Sequence, residues 1–239
     1  NPSDEADAVV DEVGKYTDVT LVANTDGAAI NARLLSANAQ NKSLWFAHPM
    51  FGTGTEWFDI FVPSFDQVKF DAFVAKYGLH DAQGNSILYQ GATYPGIQGP
   101  QFLPLMDITN PVWQDYLIAQ MVTILNDGNF FGVFWDTVTN EIPPFTLGAD
   151  PVGNPIYPAN YTAESWAAGV LLFLQKCVAE TRSRGLETWI NGVSKPFTDF
   201  TPSPNANLRD LADGVAIEGY GINFEVDTDY LRKHHWFQR

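Results

Sequence analysis

Cysteine is almost missing from this chain. Cys177 stands alone among 239 residues, so an intrachain disulfide is impossible and a zinc cage of cysteines is excluded. Positive charge is scarce as well: 13 Lys and Arg face 28 Asp and Glu, for a formal charge of −15. Such a surface repels a phosphate backbone or an anionic lipid sheet, which argues against nucleic-acid binding and membrane attraction. No apolar run approaches the roughly 20 residues of a membrane helix, so no membrane insertion is expected. No G-x-G-x-x-G follows the first strand pattern and no P-loop occurs, which excludes the usual nucleotide cradles. Ser36, Ser64 and Ser194 sit in no nucleophile elbow. His80, His234 and His235 lack the spacing of a metal site, so neither metal nor cofactor is expected.

The rest of the composition supports a folded core. Hydrophobic residues make up 45% of the chain and aromatics 14%, which excludes disorder. Short apolar runs alternate with helical patterns. Asp4–Lys15 reads as a helix capped by Ser3, Val19–Ala23 as a strand, Ala28–Ala39 as a helix and Ser43–Ala47 as a strand. Phe65–Tyr77 is helical, and the turn chemistry of Asp81–Asn85 leads into a small hairpin at Ile87–Tyr89. Pro111–Leu125 reads as a helix closed by Gly128, with Trp113, Leu117, Met121, Ile124 and Leu125 on one face. The Phe130–Trp135 strand follows, then a long helix Ala163–Arg184 closed by Gly185. Leu186–Ile190 is a strand, Asn207–Leu211 a short helix and Gly214–Ile217 a strand.

Strands that are apolar throughout are buried on both faces, the mark of a parallel sheet, and helix–strand alternation makes the fold α/β. Their last residues are polar. The strands end at Asn24 (with Asp26 just beyond), His48, Asp136, Asn191 and Glu218. A (β/α)8 TIM-type barrel carries its active site on that face, although a doubly wound sheet also binds ligands there. With no dinucleotide motif present, the barrel is favoured. Asp136 and Glu218 are two carboxylates in matching strand-tip contexts. Such a pair in one pocket separates into an acid and an ionised partner, the chemistry of glycoside hydrolysis.

Met106-Asp107-Ile108-Thr109-Asn110-Pro111-Val112-Trp113, a helix, and then Phe131-Gly132-Val133-Phe134-Trp135-Asp136 form a recognisable stretch. It resembles the D-x-x-N-P-x-W and F-D-G-V-F-x-D segments of glycoside hydrolase barrels, notably the endo-α-1,4-polygalactosaminidase group and related hypothetical glycosyl hydrolases. Asp213-Gly214-Val215-Ala216-Ile217-Glu218 resembles the later strand that carries a second acid. The resemblance covers Met106 to Gly221 and implies a catalytic pair at Asp136 and Glu218. One departure is Phe131, which stands where the family has Asp.

About five barrel strands can be placed with assurance, fewer than a closed eight-stranded barrel needs. The chain begins at Asn1 without methionine or leader, and Leu231–Trp236 reads as a helix beginning. The expectation is therefore one barrel domain over 1–239, truncated at one or both ends, with neighbouring domains in a longer, secreted or cell-surface protein. Its partner is expected to be an oligo- or polysaccharide, touched by Asn24, Asp26, His48, Trp135, Asn191 and Tyr220. Asn24, Asp26 and Asn191 serve equally well as satisfiers of loop backbone. Trp135 and Tyr220, beside the two acids, are expected to line the cleft. A non-catalytic glycan-binding module is the competing reading. Asn41-Lys42-Ser43 and Asn160-Tyr161-Thr162 match the N-glycosylation pattern, which arises often by chance.

Overall fold

The computed structural model describes residues 2–22, 27–49, 67–90, 102–136, 138–140, 161–191 and 206–216. In chain order the elements are α1 (Pro2–Tyr16), β1 (Val19–Val22), α2 (Gly27–Ala37), β2 (Lys42–Ala47), α3 (Gln67–Tyr77), β3 (Leu88–Gln90) and β4 (Phe102–Pro104). They continue with α4 (Pro111–Gly128), β5 (Gly132–Trp135), α5 (Ala163–Ser183), β6 (Glu187–Ile190), α6 (Ala206–Leu211) and β7 (Gly214–Val215). Among the described residues no helix is long and apolar enough to cross a membrane.

Five strands form one parallel sheet in the order β1-β2-β5-β6-β7. Each strand is added beside the preceding member of the sheet, and the order never reverses. A doubly wound sheet has a reversal where its ligand binds; a barrel wall does not. The sheet is thus part of a TIM-type wall, in agreement with the α/β barrel expectation over these five strands. Between β2 and α4 the chain makes a detour, which includes the expected turn at Asp81–Asn85 and a strand overlapping the expected Ile87–Tyr89. Strands β3 and β4 pair antiparallel outside the main sheet, with a Gly78–Met106 bridge and a small His80–Ser86 hairpin beside them. Asp81 shapes that hairpin's turn by accepting from the backbone N–H groups of Gln83 and Asn85, and Gly84 takes a left-handed φ of 84°.

Side chains alternate between the sheet's two faces. Trp45, Ala47, Val133, Trp135 and Ile190 join the core shared with the helices. Trp135 packs edge-on against Phe173 of α5 at 5.2 Å, and the buried Thr188 and Thr181 hydroxyls share a hydrogen bond of 2.7 Å. Phe46, Phe134 and Trp189 belong to the opposite face, where the Phe46 and Phe134 rings stack at 5.8 Å. Gly214 lies under Trp189 there: a Cβ on it would stand 2.2 Å from the indole ring.

The helix ends show why the motif residues are where they are. Asn110 is the N-cap of α4 and accepts from the Val112 N–H at 2.9 Å, while Pro111 fills the first turn, where no donor is needed. Replacing Asn110 with Ala should cost about 1 kcal/mol in urea unfolding, because that N–H loses its acceptor. The helix ends at Gly128 as expected, but the left-handed cap is the next residue. Asn129 takes the left-handed cap at φ 52°, and Gly128 is needed for space: a Cβ there would lie 2.2 Å from the Phe130 ring. Likewise Ser3 falls inside α1, which starts at Pro2, and is not its cap. Thr162 caps α5 in a reciprocal box with Ser165.

Candidate active site

The strand register sets three polar residues side by side. Ala47 pairs with Trp135 and Trp135 with Ile190, so the next residue on each strand is His48, Asp136 and Asn191. Backbone bonds continue across this row: Asp136 N–H donates to Ala47 O and Asn191 N–H to Trp135 O, both at 2.9 Å. All three side chains share the face away from the helices. There the Asn191 amide Nδ2 donates to Asp136 Oδ1 at 2.9 Å, and His48 Nε2 lies 3.1 Å from Asp136 Oδ2. The Asp136 carboxylate is therefore gripped at both oxygens by its two neighbouring strands. It remains partly open, with 18% of its side chain exposed.

Two buried tryptophans hold the loops beyond these tips. Trp113 of α4 donates its indole N–H to Pro49 O at 2.8 Å, next to His48. Trp166 of α5 donates to Thr139 O at 3.1 Å, just past Asp136, and Val138 N–H reaches Asn191 O at 2.8 Å. The D-x-x-N-P-x-W residues thus support the site without entering it. Asp107 accepts from the Thr109 N–H and hydroxyl and from the Tyr161 hydroxyl, Asn110 caps α4, and Trp113 pins the His48 loop. Burial and the Asp107 carboxylate push the Tyr161 hydroxyl up to about 12, so it stays a donor. In the later motif, Asp213 accepts from Thr188 N–H at 2.9 Å and pairs with Arg182 at 2.7 Å, which fixes the start of β7.

Burial lowers the His48 pKa below its ordinary value, with the negative charge of Asp136 opposing the shift. In the window between the lowered folded value and about 6.5, the unfolded chain binds the proton more readily, so stability rises with pH there. Wild type should therefore lose stability from pH 7 to pH 5.5 more steeply than His48→Gln, compared by urea unfolding at each pH. Equal slopes would show that His48 does not stay neutral in the folded chain.

Of the site residues expected from the sequence, the structure brings His48, Asp136 and Asn191 together. Trp135 requires correction. It is fully buried on the helix side, because it precedes Asp136 by one residue and a strand turns successive side chains to opposite faces. It cannot line a cleft that Asp136 faces. Among the described strand residues the aromatics on Asp136's side are Phe46, Phe134 and Trp189, the last held by its indole N–H to Glu187 Oε2 at 2.7 Å. Strand alternation alone could have identified them. Asn24, Asp26, Glu218 and Tyr220 lie outside the described residues. Asn41, in one glycosylation pattern, is buried and spends its amide nitrogen on Thr17 and Thr20, so it is no acceptor for a glycan. Cys177 is fully buried and its thiol is pushed up by burial, which makes it inert. Among the described residues no cluster of three or more His, Cys, Asp or Glu is placed to hold a metal ion.

No protein-family model matches the chain, and no curated protein does. Solved structures of similar fold do exist. The glycoside hydrolase domain of PelA from Pseudomonas aeruginosa superposes with a TM-score of 0.52 at 15% identity, over 95% of this chain and 73% of that one. The α-galactosidase TtGalA from Thermus thermophilus, in complex with p-nitrophenyl α-D-galactopyranoside, gives 0.51 at 13% identity, over 89% of this chain and 37% of that one. A variant of the PelA domain, at a TM-score of 0.47 and 14% identity, is spanned over 59% of its length. At identities this low the superpositions on the first two show a shared fold alone: the chain has an α/β barrel-type architecture also found in glycoside hydrolases.

Proposed function

We propose that this chain is a glycoside hydrolase that cleaves an oligo- or polysaccharide with two carboxylates, Asp136 and Glu218. The observation that carries the reading is the Asp136 carboxylate, held at both oxygens at a parallel strand's carboxyl tip, on the sheet face turned from the helices. Catalytic groups of TIM-type barrels occupy that position. The motif resemblance and the fold shared with a PelA hydrolase domain and an α-galactosidase support it.

In the proposed mechanism, Glu218 gives a proton to the glycosidic oxygen as the bond from that oxygen to the anomeric carbon breaks. Asp136, oriented and acceptor-only, attacks the anomeric carbon or takes a proton from an attacking water. Glu218 lies two residues beyond Ala216, whose N–H extends the strand ladder to Ile190 O at 2.9 Å. Asn24, Asp26 and Tyr220 are proposed as sugar contacts. The charge of −15 favours a cationic amino-sugar polymer, in line with the resemblance to polygalactosaminidases.

The test is release of reducing ends from α-1,4-linked polygalactosamine, chitosan and a neutral glucan. Cleavage of the amino-sugar polymers is expected. Binding of these polymers without cleavage would replace the reading with that of a glycan-binding module. Proton NMR of the first-formed anomer would then assign retention or inversion, which follows the carboxyl separation.

A further inference from the structure

We propose that His48 is a positioning residue for Asp136: its Nε2–H holds one carboxylate oxygen while Asn191 holds the other, presenting the group in a single orientation. The activity part of this inference rests on the glycosidase reading; the geometry does not.

A carboxylate on a short side chain swings freely about its last bond unless both oxygens are engaged. Here Asn191 fixes Oδ1 from β6 and His48 approaches Oδ2 from β2 at 3.1 Å, so the plane is set by two strands that flank its own. His48 is itself immobilised. The Phe46 ring meets its imidazole edge-on at 5.2 Å, and Trp113 pins the carbonyl of Pro49. A ring so placed is an anchor for the carboxylate.

The protonation state suits that task. Burial favours the neutral imidazole, which carries a single N–H. With that proton on Nε2, His48 orients Asp136 without cancelling its charge, and the full negative charge stays available for the anomeric carbon. An imidazolium would neutralise the pair and weaken the nucleophile or base. Among the described residues the charged group facing His48 is Asp136. Lys42 and Glu187, on the same face, pair with each other at 3.5 Å at the opposite end of the strands.

Two measurements test this on the intact chain. The first needs no substrate: long-range proton–nitrogen correlations of the His48 imidazole between pH 4.5 and 8. A neutral ring protonated on Nε2 is expected above pH 7, and its titration should move lower in Asp136→Asn, where the opposing negative charge is gone. A ring protonated on Nδ1, or a titration unmoved by Asp136→Asn, would overturn the proposal. The second follows kcat and KM on α-1,4-linked galactosamine oligomers. His48→Leu, which removes the donor, should lower kcat by about 10²-fold with KM little changed, the cost of a misplaced reacting group. His48→Gln, which restores an N–H donor, should return to within about tenfold of wild type while one ionisation disappears from the acidic limb of kcat/KM. If both variants keep wild-type kcat and pH profile while Asp136→Asn is inactive, His48 has no positioning role and the glycosidase reading stands. If Asp136→Asn is fully active, that reading fails instead. Should His48→Leu not fold, the Gln variant's pH profile and the imidazole spectra still decide.

Discussion

Asp136→Asn should reduce glycan cleavage by about 10³-fold or more, within the range that a lost acid–base or nucleophilic group produces. The substitution keeps the shape of the side chain and removes its charge, so no nucleophile or base faces the anomeric carbon. It also disturbs the surroundings. Asp136 accepts from Asn191 Nδ2 at 2.9 Å and meets His48 Nε2 at 3.1 Å, so an amide NH2 in place of one oxygen opposes donor to donor on one side. The His48 ring can relieve this by shifting its proton to Nδ1, so folding survives while activity does not. Glu218→Gln should also lose about 10² to 10⁴-fold on a natural glycan. Its loss should shrink on a substrate with a nitrophenol leaving group, which departs without protonation; that of Asp136→Asn should not. Steady-state kinetics on both substrates makes the comparison. Full activity in both variants would remove the two-carboxylate mechanism.

Much of this site is legible in the residue order, because a parallel wall displays its chemistry at the end of each apolar run. His48, Asp136 and Asn191 are each the first polar residue after such a run, and the register places them in one row. The grip on the carboxylate was not legible. It depends on β2 and β6 being the strands that flank β5, which no local pattern states, since some 85 residues separate β2 from β5. Half of the detour is legible, in the Asp81–Asn85 turn and the strand after it; the partner β4 is not, because Pro104 and a three-residue length leave little strand pattern. Adjacency to Asp136 suggests a cleft position for Trp135, but strand alternation turns it into the core. Gly128 marks the end of its helix as its position suggests, but an asparagine takes the left-handed turn and the glycine makes room for Phe130. The glycines of the family-like strands, Gly132 and Gly214, thus mark close approaches rather than turns.

Gly132 carries the second large prediction. It opens β5 on the same face as Asp136, where a Cβ would stand 2.0 Å from the carbonyl oxygen of Glu187 and 2.8 Å from its carbonyl carbon. Both atoms are backbone of β6, so no side-chain rotation can relieve the clash. Gly132→Ala must push β5 and β6 apart or bend β5, at a cost of about 3 kcal/mol. In a chain of this size that corresponds to a Tm lower by roughly 6–12 °C, as calorimetry would record. Gly214→Ala is the informative comparison. Its Cβ would meet the Trp189 indole at 2.2 Å, a side chain that can swing aside by giving up its 2.7 Å bond to Glu187. That variant should lose about half as much or less. The strain at Gly132 also propagates to function, because the β5–β6 pairing aligns Asn191 with Asp136. A shift of a few tenths of an ångström there lengthens the bond between them, and Gly132→Ala should lose activity even below its melting temperature. A Tm within 1 °C of wild type would show that β5 and β6 do not approach so closely, and would remove the structural reason for glycine at this position.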